Sequence, residues 1–240
     1  MQSPSPVVVP ARPKIIITND DGIDADGLSA LRAAVETWAE PIIVAPAICW
    51  SGCSHRVTYD RAFRVTQRGE GCFVVEGTPA DCVRVGLARI APDAVAVLSG
   101  INHGGNLGID TYYSGTVAAV REAVFMGKPG IAVSQYHRRG VDPLDWPRAV
   151  RWVAPVLQDL IVRPLAAGSF WNVNLPNRPH AEPPDIVHCP VDHSPMPITF
   201  QIDGEHWQDM GNYHQRERRD GTDIDHCFAG RIAVSLIELR

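Results

Sequence analysis

The chain has 240 residues, of which 45% are hydrophobic and 20% charged, with a formal net charge of -5. That balance supports one sizeable folded domain and excludes wholesale disorder. With no global positive field, a stable nucleic-acid partner is not expected, and no apolar run reaches the ~20 residues that a membrane span needs.

In chain order, the opening M-Q-S-P-S-P-V-V-V-P-A-R-P lacks a basic n-region, so residues 1–13 are expected to form a flexible, proline-stiffened tail and not a signal peptide. K-I-I-I-T at residues 14–18 is a continuous β-branched run, the pattern of a strand buried on both faces of a parallel sheet. Leu28, Leu31, Val35 and Trp38 then recur at helical spacing and predict a helix over 27–38. A strand is expected at 42–45, a hairpin from 63–66 and 72–75, a helix over 81–90 and a strand at 94–98. The Gly- and Asn-rich loop S-G-I-N-H-G-G-N-L-G-I-D leads through Y-Y-S-G-T into a helix that stops near Gly127-Lys128-Pro129-Gly130. Further expectations are a strand at 131–133, a helix over 146–160 that Pro155 kinks or begins, and a strand at 170–174. This alternation predicts a doubly wound α/β sheet whose ligand crevice lies at the carboxyl ends of its strands, in a catalytic domain spanning 14–175. Residues 176–240 are proline-rich and polar, with strand-like alternation only at 231–239. They are expected to form an extended arm that either reaches another subunit or folds back on its own domain.

Six cysteines, Cys49, Cys53, Cys72, Cys82, Cys189 and Cys227, are scattered without a C-x-x-C pair. Free thiols in a reducing, cytoplasmic setting are expected, and Cys49 with Cys53 makes a poor zinc site.

The chemistry concentrates where strands end. Asp20 and Asp21 follow the first strand, and two adjacent carboxylates repel unless a cation joins them; the alternative is that one of them caps the next turn. Ser51 follows the second strand and Asn102 the fourth, adding a hydroxyl and an amide oxygen. An all-oxygen set suits Mg²⁺, Mn²⁺ or Ca²⁺, whereas zinc would want thiolate or imidazole. Ser114, Gly115 and Thr116 open a helix, where free N–H groups and the dipole make either a phosphate seat or an ordinary N-cap. His55 and His103 flank the ligand candidates as rim residues or proton carriers. Trp50, with Tyr112 or Tyr113, either offers a stacking face for a leaving group or covers exposed apolar surface.

Four motifs carry a resemblance: N-D-D-G at 19–22, S-G-C-S at 51–54, G-T-P-A-D-C-V at 77–83, and the long S-G-I-N-H-G-G-N-L-G-I-D-T-Y-Y-S-G-T-V at 99–117. Together they resemble the SurE family, the survival-protein-E nucleotidases. The resemblance implies a Rossmann-like three-layer α/β sandwich with a mostly parallel sheet, and a C-terminal arm or hairpin swapped in a homodimer or dimer of dimers. It further implies a phosphomonoesterase acting on nucleoside 5'- or 3'-monophosphates with one divalent cation per subunit, Mg²⁺ or Mn²⁺. Carried over position by position, the metal ligands fall on Asp20, Asp21, Ser51 and Asn102, while Asn106, Ser114, Gly115 and Thr116 match phosphate-side residues. Asp20, Asp21 and Asn106 are the catalytic candidates, with the base and any nucleophile left open between the two carboxylates. A nucleotide-binding regulatory module of the same fold is the alternative. A dinucleotide-binding oxidoreductase is disfavoured, because the glycine loop does not follow the first strand.

Overall fold

The computed structural model describes residues 12–138, 143–179, 182–196, 198–210 and 213–239. The expected flexible tail therefore lies almost wholly outside the described residues. The core is a nine-stranded sheet formed by β1 (Lys14–Thr18), β2 (Glu40–Pro46), β3 (Val65–Gly69), β4 (Cys72–Val75), β5 (Ala96–His103), β6 (Gly130–Gln135), β7 (Ser169–Leu175), β8 (Ile186–His188) and β11 (Ile232–Glu238), in the order β3-β4-β2-β1-β5-β6-β7-β11-β8. The central strands β4, β2, β1, β5, β6 and β7 pair in parallel, whereas β3 is antiparallel to β4 and β11 to β7. Helices α1 (Asp26–Val35) and α5 (Trp146–Leu160) pack together on one face, and α2 (Pro79–Val85) and α4 (Gly115–Phe125), which the single turn α3 (Asp110–Tyr113) precedes, on the other. The result is a mostly parallel, three-layer α/β fold.

The burial of β1 on both faces follows from its sequence. Ile15 and Ile17 join Leu31, Val35, Trp152 and Val153 on the α1/α5 side, and Ile16 joins Val44, Val83 and Ala119 on the α2/α4 side. Alternate side chains of a strand point to opposite faces, so K-I-I-I-T must be apolar throughout.

The helices depart from expectation at their ends. α2 starts at Pro79, two residues early, because Thr78 and Asp81 form a reciprocal capping box; beyond Val85 it widens into one π-turn, Gly86–Ile90. Pro155 does not begin α5: Asp145 caps it, accepting from the Arg148 N–H at 2.9 Å, and Pro147 sits in the first turn. Pro155 is exposed, and the Arg151 carbonyl that loses its amide partner belongs to an exposed residue, so the helix continues through the proline.

The C-terminal segment holds more structure than its composition suggested. β8 and β11 extend the main sheet, α6 (Asp223–Phe228) packs beneath it, and β9 (Phe200–Asp203) and β10 (His206–Asp209) form a separate exposed hairpin. Its two-residue turn is Gly204-Glu205, with Gly204 at φ +59. No helix among the described residues is long and apolar enough to cross a membrane.

One close approach fixes α1 against the sheet. A Cβ at Gly27 would lie 1.9 Å from the Ile101 carbonyl oxygen, so only glycine lets the helix sit there. Gly27→Ala is expected to destabilise the protein by about 2–4 kcal/mol, the scale of a forced backbone shift in a packed core. Urea unfolding of the two proteins checks this, and a difference under about 0.5 kcal/mol would mean the helix is free to retreat.

Candidate active site

The sheet changes direction of growth between β1 and β5, since β2 and β4 lie to one side of β1 and β5 to β7 lie to the other. Loops leaving the carboxyl ends of β1 and β5 therefore diverge and open a crevice. Asn19 shapes the first loop: its side-chain amide donates to the Gly22 carbonyl at 2.9 Å and accepts from the Gly22 N–H at 3.3 Å, closing a turn in which Gly22 has φ +104. The two carboxylates that follow Asn19 face different partners. Asp20, only 3% exposed, accepts a hydrogen bond from the Thr116 hydroxyl, whereas the more exposed Asp21 accepts from the His103 N–H at 3.0 Å.

Burial raises the Asp20 carboxyl to about 6; the Thr116 hydrogen bond opposes that shift and the neighbouring Asp21 charge adds to it. Space around it is tight, for a Cβ on Gly115 would lie 2.7 Å from the Asp20 Cβ. The second-strand loop is pinned to the same residue, with the Trp50 N–H donating to the Asp20 carbonyl at 2.7 Å. Ser54, at φ +53, anchors the far end of that loop by donating from its N–H to the Tyr113 carbonyl (3.0 Å) and from its hydroxyl to the Tyr112 carbonyl (2.8 Å). Ser51 lies exposed between these anchors, its hydroxyl 3.1 Å from the Cys49 thiol. Burial, with the Asp20 charge secondary, lifts the Cys53 thiol to about 11, so it is no ready thiolate ligand.

Asn102 is oriented by its own loop. Its Nδ2 donates to the Gly104 carbonyl at 2.7 Å, and its Oδ1 lies 3.3 Å from the same Thr116 hydroxyl that reaches Asp20. Thr116, expected on the phosphate side, is thus committed to the two ligand candidates. Ser114 caps α4 by accepting from the Val117 N–H at 3.0 Å, so its oxygen performs the capping role that was the alternative, while its hydroxyl proton stays available to donate. Asn106 is 7% exposed, with its Nδ2 on the Ser134 hydroxyl (2.8 Å) and its carbonyl receiving the Asn172 and Asn174 amides (2.8 and 3.1 Å).

Other candidates separate. His55 is turned away onto α4, where it pairs with Glu122 at 2.8 Å and stacks on Phe125, with ring centroids 5.4 Å apart. His103 stays beside Asp21, its ring 5.3 Å from that of His137. Trp50 carries the Arg56 guanidinium over its ring at 5.6 Å, and Tyr112 and Tyr113 are exposed. All six cysteines are free, and among the described residues no group of three or more His, Cys, Asp or Glu side chains could hold a metal.

A family model described as "Survival protein SurE" matches residues 15–195. The chain belongs to the SurE family. It is 46% identical over 226 residues to "Putative 5'-nucleotidase alr3139" of Nostoc sp., covering 94% of this chain and 99% of the relative. "5'-nucleotidase SurE" of Neisseria gonorrhoeae is 35% identical over 236 residues, covering 94% and 92%. The crystal structure of the SurE protein from Aquifex aeolicus superposes with a TM-score of 0.84 at 28% identity, covering 95% of this chain and 94% of that one.

Sequence reasoning missed the residues that hold this SurE crevice from behind. Asp223, fully buried, accepts from the N–H groups of Gly108 and Asp192 at 2.8 Å each and of Ile224 at 2.9 Å. Arg216 donates to the Asp110 carboxylate at 2.9 Å and to the Leu107 carbonyl at 3.0 Å. Asp192 accepts from the N–H groups of Ser194 and Arg219, both at 2.7 Å; although burial raises its carboxyl, these bonds hold it below the usual value. The C-terminal segment therefore clamps the loop between β5 and α4. The available signal was Thr222-Asp223 before a short apolar run, a helix-start pattern. Asp223→Ala would strand three buried N–H donors and is expected to cost about 2–4 kcal/mol. Urea denaturation measures it, and a loss under about 1 kcal/mol would show that water takes over the three bonds.

Proposed function

We propose that this chain is a divalent-metal-dependent phosphomonoesterase that releases phosphate from nucleoside 5'-monophosphates, and from 3'-monophosphates where the pocket admits them. The observation that carries the reading is the meeting of Asp20, Asp21 and Asn102 at the β1/β5 switch, in a family whose relatives bear the name 5'-nucleotidase. The donor chemistry fits a hard cation. Asp20 is a buried carboxylate beside a second carboxylate, the Asn102 amide is turned with its nitrogen onto Gly104 and its oxygen toward Thr116, and Ser51 adds a hydroxyl. Asp20, Asp21, Ser51 and Asn102 would hold one Mg²⁺ or Mn²⁺, which supplies Lewis-acid polarisation of a phosphoryl oxygen and charge compensation.

The chain's own groups do the rest. Thr116 fixes Asp20 through its hydroxyl, and Gly115 leaves room for the carboxylate. The greater exposure of Asp21 and its bond from the His103 N–H support the reading in which it takes a proton from the attacking water and returns it to the leaving nucleoside oxygen. Ser114 donates a hydrogen bond from its hydroxyl to a phosphoryl oxygen. Asn106 has two amide hydrogens, one bound to Ser134 and the other left for a phosphoryl oxygen. Six free cysteines support a reducing, cytoplasmic setting. The exposed Phe200, Ile202 and Trp207 of the β9–β10 hairpin support its use as a homodimer arm.

Chelation with EDTA should abolish phosphate release from nucleoside monophosphates, and Mg²⁺ or Mn²⁺ should restore it. Full activity after exhaustive dialysis against chelator would overturn the metal reading. Asp20→Asn and Asp21→Asn should each lower kcat/KM by at least ~10²-fold, the scale of losing a preorganised electrostatic element, with the fold retained by circular dichroism. Near-normal turnover in either variant would reduce that residue to a turn-forming role.

A further inference from the structure

Asp21 has a second surrounding that the phosphate chemistry does not use. On the side away from α4 it lines an open cavity of about 480 Å³, together with Asp26, His103, His137, Leu144 and Trp146. That volume falls within the ~300–1,000 Å³ of pockets that take small organic ligands, and it adjoins the reacting carboxylate. The lining is specific in kind. Trp146 is only partly buried, and its indole is seated on α1 so closely that a Cβ at Gly27 would come 3.0 Å from its Cη2. An indole packed on the core at one side and partly exposed at the other offers apolar surface to the cavity. The His103 and His137 rings, 5.3 Å apart, add hydrogen-bonding edges, and Asp26 in the first turn of α1 is an exposed carboxylate able to accept hydroxyl protons.

We propose that this cavity seats the nucleoside half of the substrate, with the base on Trp146 and the ribose hydroxyls on Asp26, so that it sets preference for nucleotides over other phosphomonoesters. The inference rests on the phosphomonoesterase reading above and assigns its leaving-group side. It also separates two aromatic candidates. Trp50 already has the Arg56 guanidinium over its ring and does not line the cavity, whereas Trp146 does. On this reading Asp21, in the cavity wall, lies between the phosphate side, at Asp20 and Ser114, and the nucleoside side, at Trp146. The two consecutive carboxylates, close enough to interact, thus stand at the junction of the two halves of one substrate.

Two substrate ratios and one binding measurement test this. Trp146→Leu should lower the kcat/KM ratio of AMP to ribose 5-phosphate at least ~tenfold, since only AMP has a base to stack. Because Trp146 packs on α1, the exposed Asp26→Asn provides an independent arm: it should lower the kcat/KM ratio of AMP to 2',3'-dideoxy-AMP at least ~fivefold. Calorimetric titration of adenosine into the metal-free protein should show binding that Asp26→Asn weakens by a similar factor. If AMP is hydrolysed but Asp26→Asn leaves both its ratio and adenosine binding unchanged, the cavity assignment is overturned while the nucleotidase reading stands. If no nucleotide is hydrolysed, the nucleotidase reading fails, and adenosine titration then decides separately whether the cavity takes a nucleoside.

Discussion

Burying the Asp20 carboxylate at the carboxyl end of the central strand is the constraint around which the site is built. A carboxylate that is 3% exposed and adjacent to another carboxylate is costly unless its charge is met. The surrounding chain answers this from several directions: the Thr116 hydroxyl binds it, Gly115 gives up a side chain to let it in, and the second-strand loop hangs from its carbonyl through Trp50. Gly115 and Thr116 come from one helix start and Trp50 from a loop more than sixty positions earlier. The neighbouring Asp21 does not relieve the charge and instead adds to the burial that raises the Asp20 carboxyl to about 6.

The position of that carboxylate is a consequence of topology. Because β1 lies between strands that grow in opposite directions, the loops at its end and at the end of β5 separate, and Asn102 can approach Asp20 through Thr116 without steric competition. The loop that follows Asn102 is long and polar and would be mobile if left to itself. Its backbone groups are taken up by buried side chains: Asn172 and Asn174 on β7 hold Asn106, and Asp223 and Arg216 hold Gly108, Leu107 and Asp110. These buried hydrogen bonds connect the site to the last fifth of the chain.

The division of labour between adjacent residues also follows from strand geometry. Successive side chains leaving a strand end diverge, so Asp20 meets the α4 layer and Asp21 meets the β5 loop and the cavity beside α1. One dipeptide therefore reaches both helical layers. The same geometry separates the flanking histidines: His55 is drawn to Glu122 and Phe125 on the outer face of α4, and His103 remains at the crevice.

Much of this was legible in the chain itself. K-I-I-I-T and the helical spacing of Leu28, Leu31 and Val35 determined a buried strand and the helix on it, because burial on two faces and burial on one stripe impose different apolar periods. The four motifs determined the family, and adjacent aspartates after a strand pointed to a cation. Tertiary structure alone decided that Thr116 serves Asp20 and Asn102, that His55 leaves the crevice, that Trp146 lines the cavity while Trp50 carries Arg56, that β8 and β11 extend the sheet, and that Asp223 and Arg216 clamp the loop after β5. Those outcomes depend on contacts between residues as far apart as 115 positions, such as Gly108 with Asp223. Local periodicity records which face of an element is buried, but a hydroxyl, an imidazole or an indole reads the same in sequence whichever partner the fold brings to it.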